Sequence, residues 1–133
     1  MNRLQNRLRS EEGFTLIELL VVMIIIGILV AIAVPSYLAF RGTAQDTAGK
    51  ADVRAAIPDA EEFFSKNNAY TGMTAAVLKA SYDSGLSSKV QVTSVSATGY
   101  CLKASGQANT VWYYSGPGGG TAGTVTSVAG GNC

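Results

Sequence analysis

Histidine is absent from this chain of 133 residues, which removes imidazole as a proton shuttle or metal ligand. Serine and threonine are plentiful, but no histidine or Ser-Lys arrangement is there to activate one as a nucleophile. The glycine run at Gly116, Gly118, Gly119 and Gly120 lacks the Lys-Ser/Thr that follows a phosphate loop, so it reads as a turn. Beyond Asp83 no acidic residue occurs, and only Lys89 and Lys103 remain as bases. Solubility of that half must come from Ser, Thr, Asn, Gln and Gly. Three of the ten basic residues and two of the nine acidic ones lie before Gly13. The remainder is charge-balanced, which argues against a basic nucleic-acid surface. No catalytic residue, metal site or cofactor is expected.

What is present is concentrated at the N-terminus. Arg3, Arg7 and Arg9 precede Glu11, Glu12 and the hexapeptide Gly13-Phe14-Thr15-Leu16-Ile17-Glu18, after which residues 19–34 carry no charge. An apolar helix of about 20 residues covers a bilayer core, and residues 14–34 are apolar all round rather than striped. Three arginines precede the span and Arg41 alone follows closely. The positive-inside rule therefore puts the N-terminus in the cytoplasm. Glu18 is the exception in this segment. An ionisable group mid-membrane costs about 2.5–3.5 kcal/mol on insertion scales, and less near the end of a span, so Glu18 calls for a partner.

The pattern resembles the class III signal of type IV prepilins and pseudopilins over about the first forty residues. The resemblance implies cleavage between Gly13 and Phe14 by a prepilin peptidase, which then methylates the Phe14 amine. It makes Glu18 the fifth residue of the mature chain and an assembly residue, and matches a helix glycine at Gly27 and a proline at Pro35. The Phe14 amine and the Glu18 carboxylate could neutralise each other between neighbouring subunits, offsetting part of both desolvation costs. Two other readings remain open on the residues alone. Ala31-Ile32-Ala33 fits the A-x-A cut of a secretory signal, and the segment could be a plain membrane anchor.

Glycine costs about 1 kcal/mol against alanine inside a helix, and proline about 3. Pro35 also removes the hydrogen bond its amide would give to Ala31. Gly27 to Pro35 is thus the weakest stretch of the helix, and in filaments of this kind it could lose helicity.

Residues 36–67 read as a more polar continuation of the helix. Ala44, Ala48, Ala51, Ala55, Ala60 and Phe64 recur mostly at steps of three or four and suggest its apolar face. Pro58 should bend or break that helix within 54–58. Residues 74–82 suggest a short second helix, and strand signals follow from Lys89, at Tyr100 to Lys103, at Val111 to Tyr114 and at 124–128. Short strands joined by turns imply an antiparallel sheet. Its apolar face is expected to pack on the alanine stripe, with Phe63, Phe64, Tyr100 and Trp112 supplying bulk.

The expected fold is α+β and pilin-like, a long N-terminal helix on a small antiparallel sheet. The expected division is a leader at 1–13, a membrane or filament-core helix at 14–35, an amphipathic continuation at 36–67 and a sheet domain at 68–133. Cys101 and Cys133 suit a staple in an exported domain, and pilins often bound a C-terminal loop in this way, although two free thiols would look the same. Secretion pseudopilins often carry an acidic calcium loop near the C-terminus, and no acid is found there. The resemblance implies a non-enzymatic subunit of a homo-oligomeric filament, anchored in the cytoplasmic membrane and served by an inner-membrane assembly platform. The alternatives are a pseudopilin of a secretion or DNA-uptake system, or a minor tip pilin acting as a binding module. Trp112, Tyr113 and Tyr114 could stack on bases, but alternate burial in a strand explains them more simply, so nucleic acid is not an expected partner of a major subunit.

Overall fold

The computed structural model describes residues 13–107, 110–117 and 125–129. The chain runs α1 (Leu16–Asn67), α2 (Ala75–Ser81), β1 (Gln91–Thr93), β2 (Cys101–Ser105), β3 (Thr110–Ser115) and β4 (Val125–Ala129). It is an α+β, pilin-like fold, with two compact units that divide after Leu38.

In the first unit every described side chain is exposed. Ile24 and Val30, for instance, remain about half exposed. Gly27 has no atom within 4 Å of where a Cβ would sit. Such a surface is unfavourable in water at about 25 cal/mol per Å² and has to be covered by lipid or protein. The helix passes through Pro35 without interruption. One residue on, the Ser36 hydroxyl donates to the Ile32 carbonyl at 3.2 Å, a back-bond associated with bent helices.

The second unit packs part of α1 against a four-stranded antiparallel meander in the order β1-β2-β3-β4. Leu102 pairs with Val92 on one side and Tyr114 on the other, which fixes the register. Val53, Ala56, Ala60 and Phe63 of α1 are buried with Leu78, Leu86, Tyr100 and Leu102. Thr74 caps α2 by accepting from the Val77 amide at 3.2 Å, which answers one of the orphan donors of its first turn.

Two expectations for α1 are corrected here. The buried face is Gly42, Gly49, Val53, Ala56, Ala60 and Phe63, whereas Ala44, Ala48, Ala51 and Ala55 face outward. Both sets have helical spacing; the first adds bulk at Val53 and Phe63 and brings the backbone close at Gly49, so it removes more apolar area from water. Pro58 does not break the helix, which is continuous to Asn67. Its ring is exposed, while Ala56 and Ala60 on either side are buried and hold both turns on the sheet.

The buried glycines respond differently to a side chain. A Cβ on Gly49 would lie 2.8 Å from the Ser105 carbonyl oxygen and 3.0 Å from Trp112 Cδ1, so rigid backbone would have to move. A Cβ on Gly42 meets only the end of the flexible Gln107 side chain. Thermal unfolding should therefore show Gly49→Ala destabilised despite its better helix propensity. Gly42→Ala should be neutral or gain up to about 1 kcal/mol.

Glu61 accepts from both the Tyr100 hydroxyl at 2.9 Å and the Tyr70 hydroxyl at 3.1 Å. The Tyr70 and Tyr100 rings are 4.6 Å apart, and Phe64 stacks on Tyr70 at 4.7 Å. Burial first, then the hydrogen bond to Glu61, pushes the Tyr70 hydroxyl up to about 12 and the Tyr100 hydroxyl up as well. Both phenols stay protonated donors, and the carboxylate ties α1 to the residue just before β2 and to the segment before α2.

Candidate functional site: the N-terminal helix start

Gly13, Phe14, Thr15 and Glu18 line one open recess where α1 begins. Thr15 precedes the first helical residue, and its side-chain oxygen accepts from the Glu18 amide at 3.3 Å. In return the Thr15 amide donates to Glu18 Oε2 at 2.8 Å. This is a reciprocal capping box, S/T-x-x-E, in which two otherwise orphaned donors are answered. A carboxylate in the first turn also faces the positive end of the helix dipole, a gain of about 0.3–1 kcal/mol at an exposed site. Glu18 therefore has a local backbone partner, and the helix start is stabilised within the chain itself.

Phe14 and Glu18 also border an apolar groove with Ile17, Val21 and Val22. The phenylalanine ring is 84% exposed, and Gly13 has no neighbour within 4 Å of a would-be Cβ. The Gly13–Phe14 peptide bond lies before the first helical residue, Leu16, and both residues are exposed. Among the described residues, no group of three or more histidine, cysteine or acidic side chains could hold a metal ion.

The prokaryotic N-terminal methylation motif matches residues 8–34, the stretch that contains this helix start. The type IV wide pilus major component PilA4 of Thermus thermophilus is 38% identical over 122 residues, covering 91% of this chain and 93% of that protein. The chain belongs to the type IV pilin family. The type IV major alpha-pilin of Moraxella bovis is 35% identical over 104 residues, or 69% of this pilin and 65% of that one. The type II secretion system core protein G of Pseudomonas aeruginosa matches at 39% over 62 residues, 47% of this chain and 44% of that protein. No solved structure gives a significant match.

The remaining site residues of this pilin are dispersed. Gly27 and Pro35 lie further along α1, both exposed. Cys101 opens β2 and is buried, whereas Cys133 lies outside the described residues. The sequence reading passed over Thr15, although the spacing Thr15-x-x-Glu18 ahead of an apolar run is the signature of a capping box. It also missed Asp46, whose Oδ1 accepts from the Gln107 amide at 2.7 Å and from Trp112 Nε1 at 3.4 Å. That bond joins residues 66 positions apart, and nothing local announces it.

Proposed function

We propose that this type IV pilus structural subunit is made as a precursor, cut between Gly13 and Phe14 and methylated on the new Phe14 amine by a prepilin peptidase. Before assembly, residues 14–35 hold it in the cytoplasmic membrane with the N-terminus cytoplasmic. An inner-membrane platform then moves the helix from lipid into the core of a growing homo-oligomeric filament, with residues 68–133 outermost. The observation that carries this reading is the exposed apolar surface of α1 beginning at a capped, accessible Glu18. Lipid and a bundle of like helices are the two environments that cover such a surface, and Glu18 offers the Phe14 amine of a neighbour a counter-charge. Removal of the leader leaves the apolar segment whole. Gly27 and Pro35 act as its weak points, and a Cys101–Cys133 bond closes the C-terminal loop. In the chain-entropy model a loop of that size is worth roughly 3–4 kcal/mol.

Mass spectrometry of the protein from its native membrane or sheared filaments tests the reading. The expected mature chain begins at Phe14 and carries one added methyl, with a mass change on reduction that reports the disulfide. A chain that begins at Val34, or an uncut Met1 form, would overturn the processing step.

A further inference from the structure

The outward side of α1 in the second unit is divided by charge. On one flank Thr43, Asp46, Thr47, Lys50, Arg54 and Trp112 line an open groove of about 630 Å³. Lys50 Nζ sits 5.4 Å over the Trp112 ring, and Asp46 is occupied by the Gln107 amide and the indole N–H. Arg54 takes part in no ion pair among the described residues, so the groove presents net positive charge beside a half-exposed aromatic floor.

The other flank is acidic. It carries Asp59, Glu62 and Asp83; burial, then the charges of Asp83 and Glu62, raise the Asp59 carboxyl above its ordinary range. Lys66 pairs with Glu62 at 2.7 Å, yet Asp59 Oδ2 is buried and has no hydrogen-bond partner. At about 100° per residue, Lys50 and Asp59 fall about 180° apart around the helix, one on each side of the buried stripe. The exposed alanines Ala44, Ala48, Ala51 and Ala55 lie between the flanks and add no bulk to hold a neighbour away.

A surface with opposite charges on opposite flanks is complementary to a second copy of itself. In a filament, as proposed above, that contact is head-to-tail and repeats without closing. A polyanion is a weaker occupant, because Asp46 stands in the groove and the mature chain has no excess positive charge. We propose that the Lys50–Arg54 groove receives the Asp59–Glu62 flank of a second copy of this chain. The contact rests on the filament reading above and gives it a specificity element outside the apolar helix. Charges at such an edge select partner and register more than they add affinity.

The test is charge reversal in the full-length chain, expressed in its own cells and scored by filament protein sheared from the surface. Arg54→Glu alone, and Glu62→Arg alone, should each lower filament yield at least about tenfold, since like charges then face each other at every subunit step. Membrane-held subunit should keep its normal amount and processed N-terminus. The two reversals combined in one chain should restore filaments, which also shows that the single variants fold. Normal yield from either single variant would overturn the contact and assign the groove to an occupant outside the filament. Failure of the combined variant to recover would overturn the pairing. A wild-type chain that is processed yet never forms filaments would overturn the assembly reading and this contact together.

Discussion

Glu18→Ala and Glu18→Gln should both abolish incorporation into filaments while leaving cleavage, methylation and membrane insertion intact. The two substitutions separate the capping role of the carboxylate from its proposed pairing with a neighbour's amine. Glutamine keeps an acceptor for the Thr15 amide and so preserves the capping box, whereas alanine removes that acceptor. Neither leaves a charge to meet the Phe14 amine of an incoming neighbour. In an apolar surrounding that unpaired amine is expensive, because breaking a buried pair costs about 3–5 kcal/mol. Each 1.4 kcal/mol is about tenfold in an equilibrium, so loss of the charge should leave almost no polymer. Filament yield and the N-terminal mass of membrane-held subunit check both halves of the expectation. Normal filaments from Glu18→Gln would show that helix geometry alone matters; normal filaments from Glu18→Ala would remove the residue from assembly entirely.

The second large effect belongs to the sheet. Leu102 is fully buried in β2, flanked by β1 and β3 and packed with the α1 stripe. Leu102→Ala deletes three carbons at a site whose backbone is pinned on both sides, so the cavity cannot collapse. A loss of about 2–5 kcal/mol is expected. A unit this small has about 5–15 kcal/mol of net stability at most, so the midpoint in denaturant should fall steeply with little change in slope. Lys103→Ala, next in sequence but on the other face of the strand, should not reproduce that cavity loss. Equal effects at the two positions would contradict the register described for β1, β2 and β3.

Much of this was legible in the residues, for identifiable reasons. The apolar helix is written in composition, and the family in a contiguous motif. The four strands announce themselves by alternation and by intervening turn residues. The core face of α1 is different, because two stripes of small residues fit helical spacing equally well. The choice between them is made by what the sheet presents, notably the Ser105 carbonyl that admits only glycine at position 49. Pro58 misled for a related reason, since tertiary burial of Ala56 and Ala60 outweighs its local cost. The Glu61–Tyr70–Tyr100 group draws on three separate parts of the chain, up to 39 positions apart, and no local pattern encodes it. The Thr15–Glu18 cap is local and legible, a Thr-x-x-Glu spacing just ahead of an apolar run.

The meander order has a kinetic consequence. Each strand pairs with the one immediately before it in the chain, so the sheet can zip together through short loop closures with little entropic delay. The contacts that must wait are those reaching back to the helix, such as the Glu61–Tyr100 hydrogen bond across 39 positions. The chain can therefore complete its sheet early and dock it on α1 last. Mutations at that docking seam, Gly49 above all, should slow folding or hasten unfolding without preventing the strands from pairing.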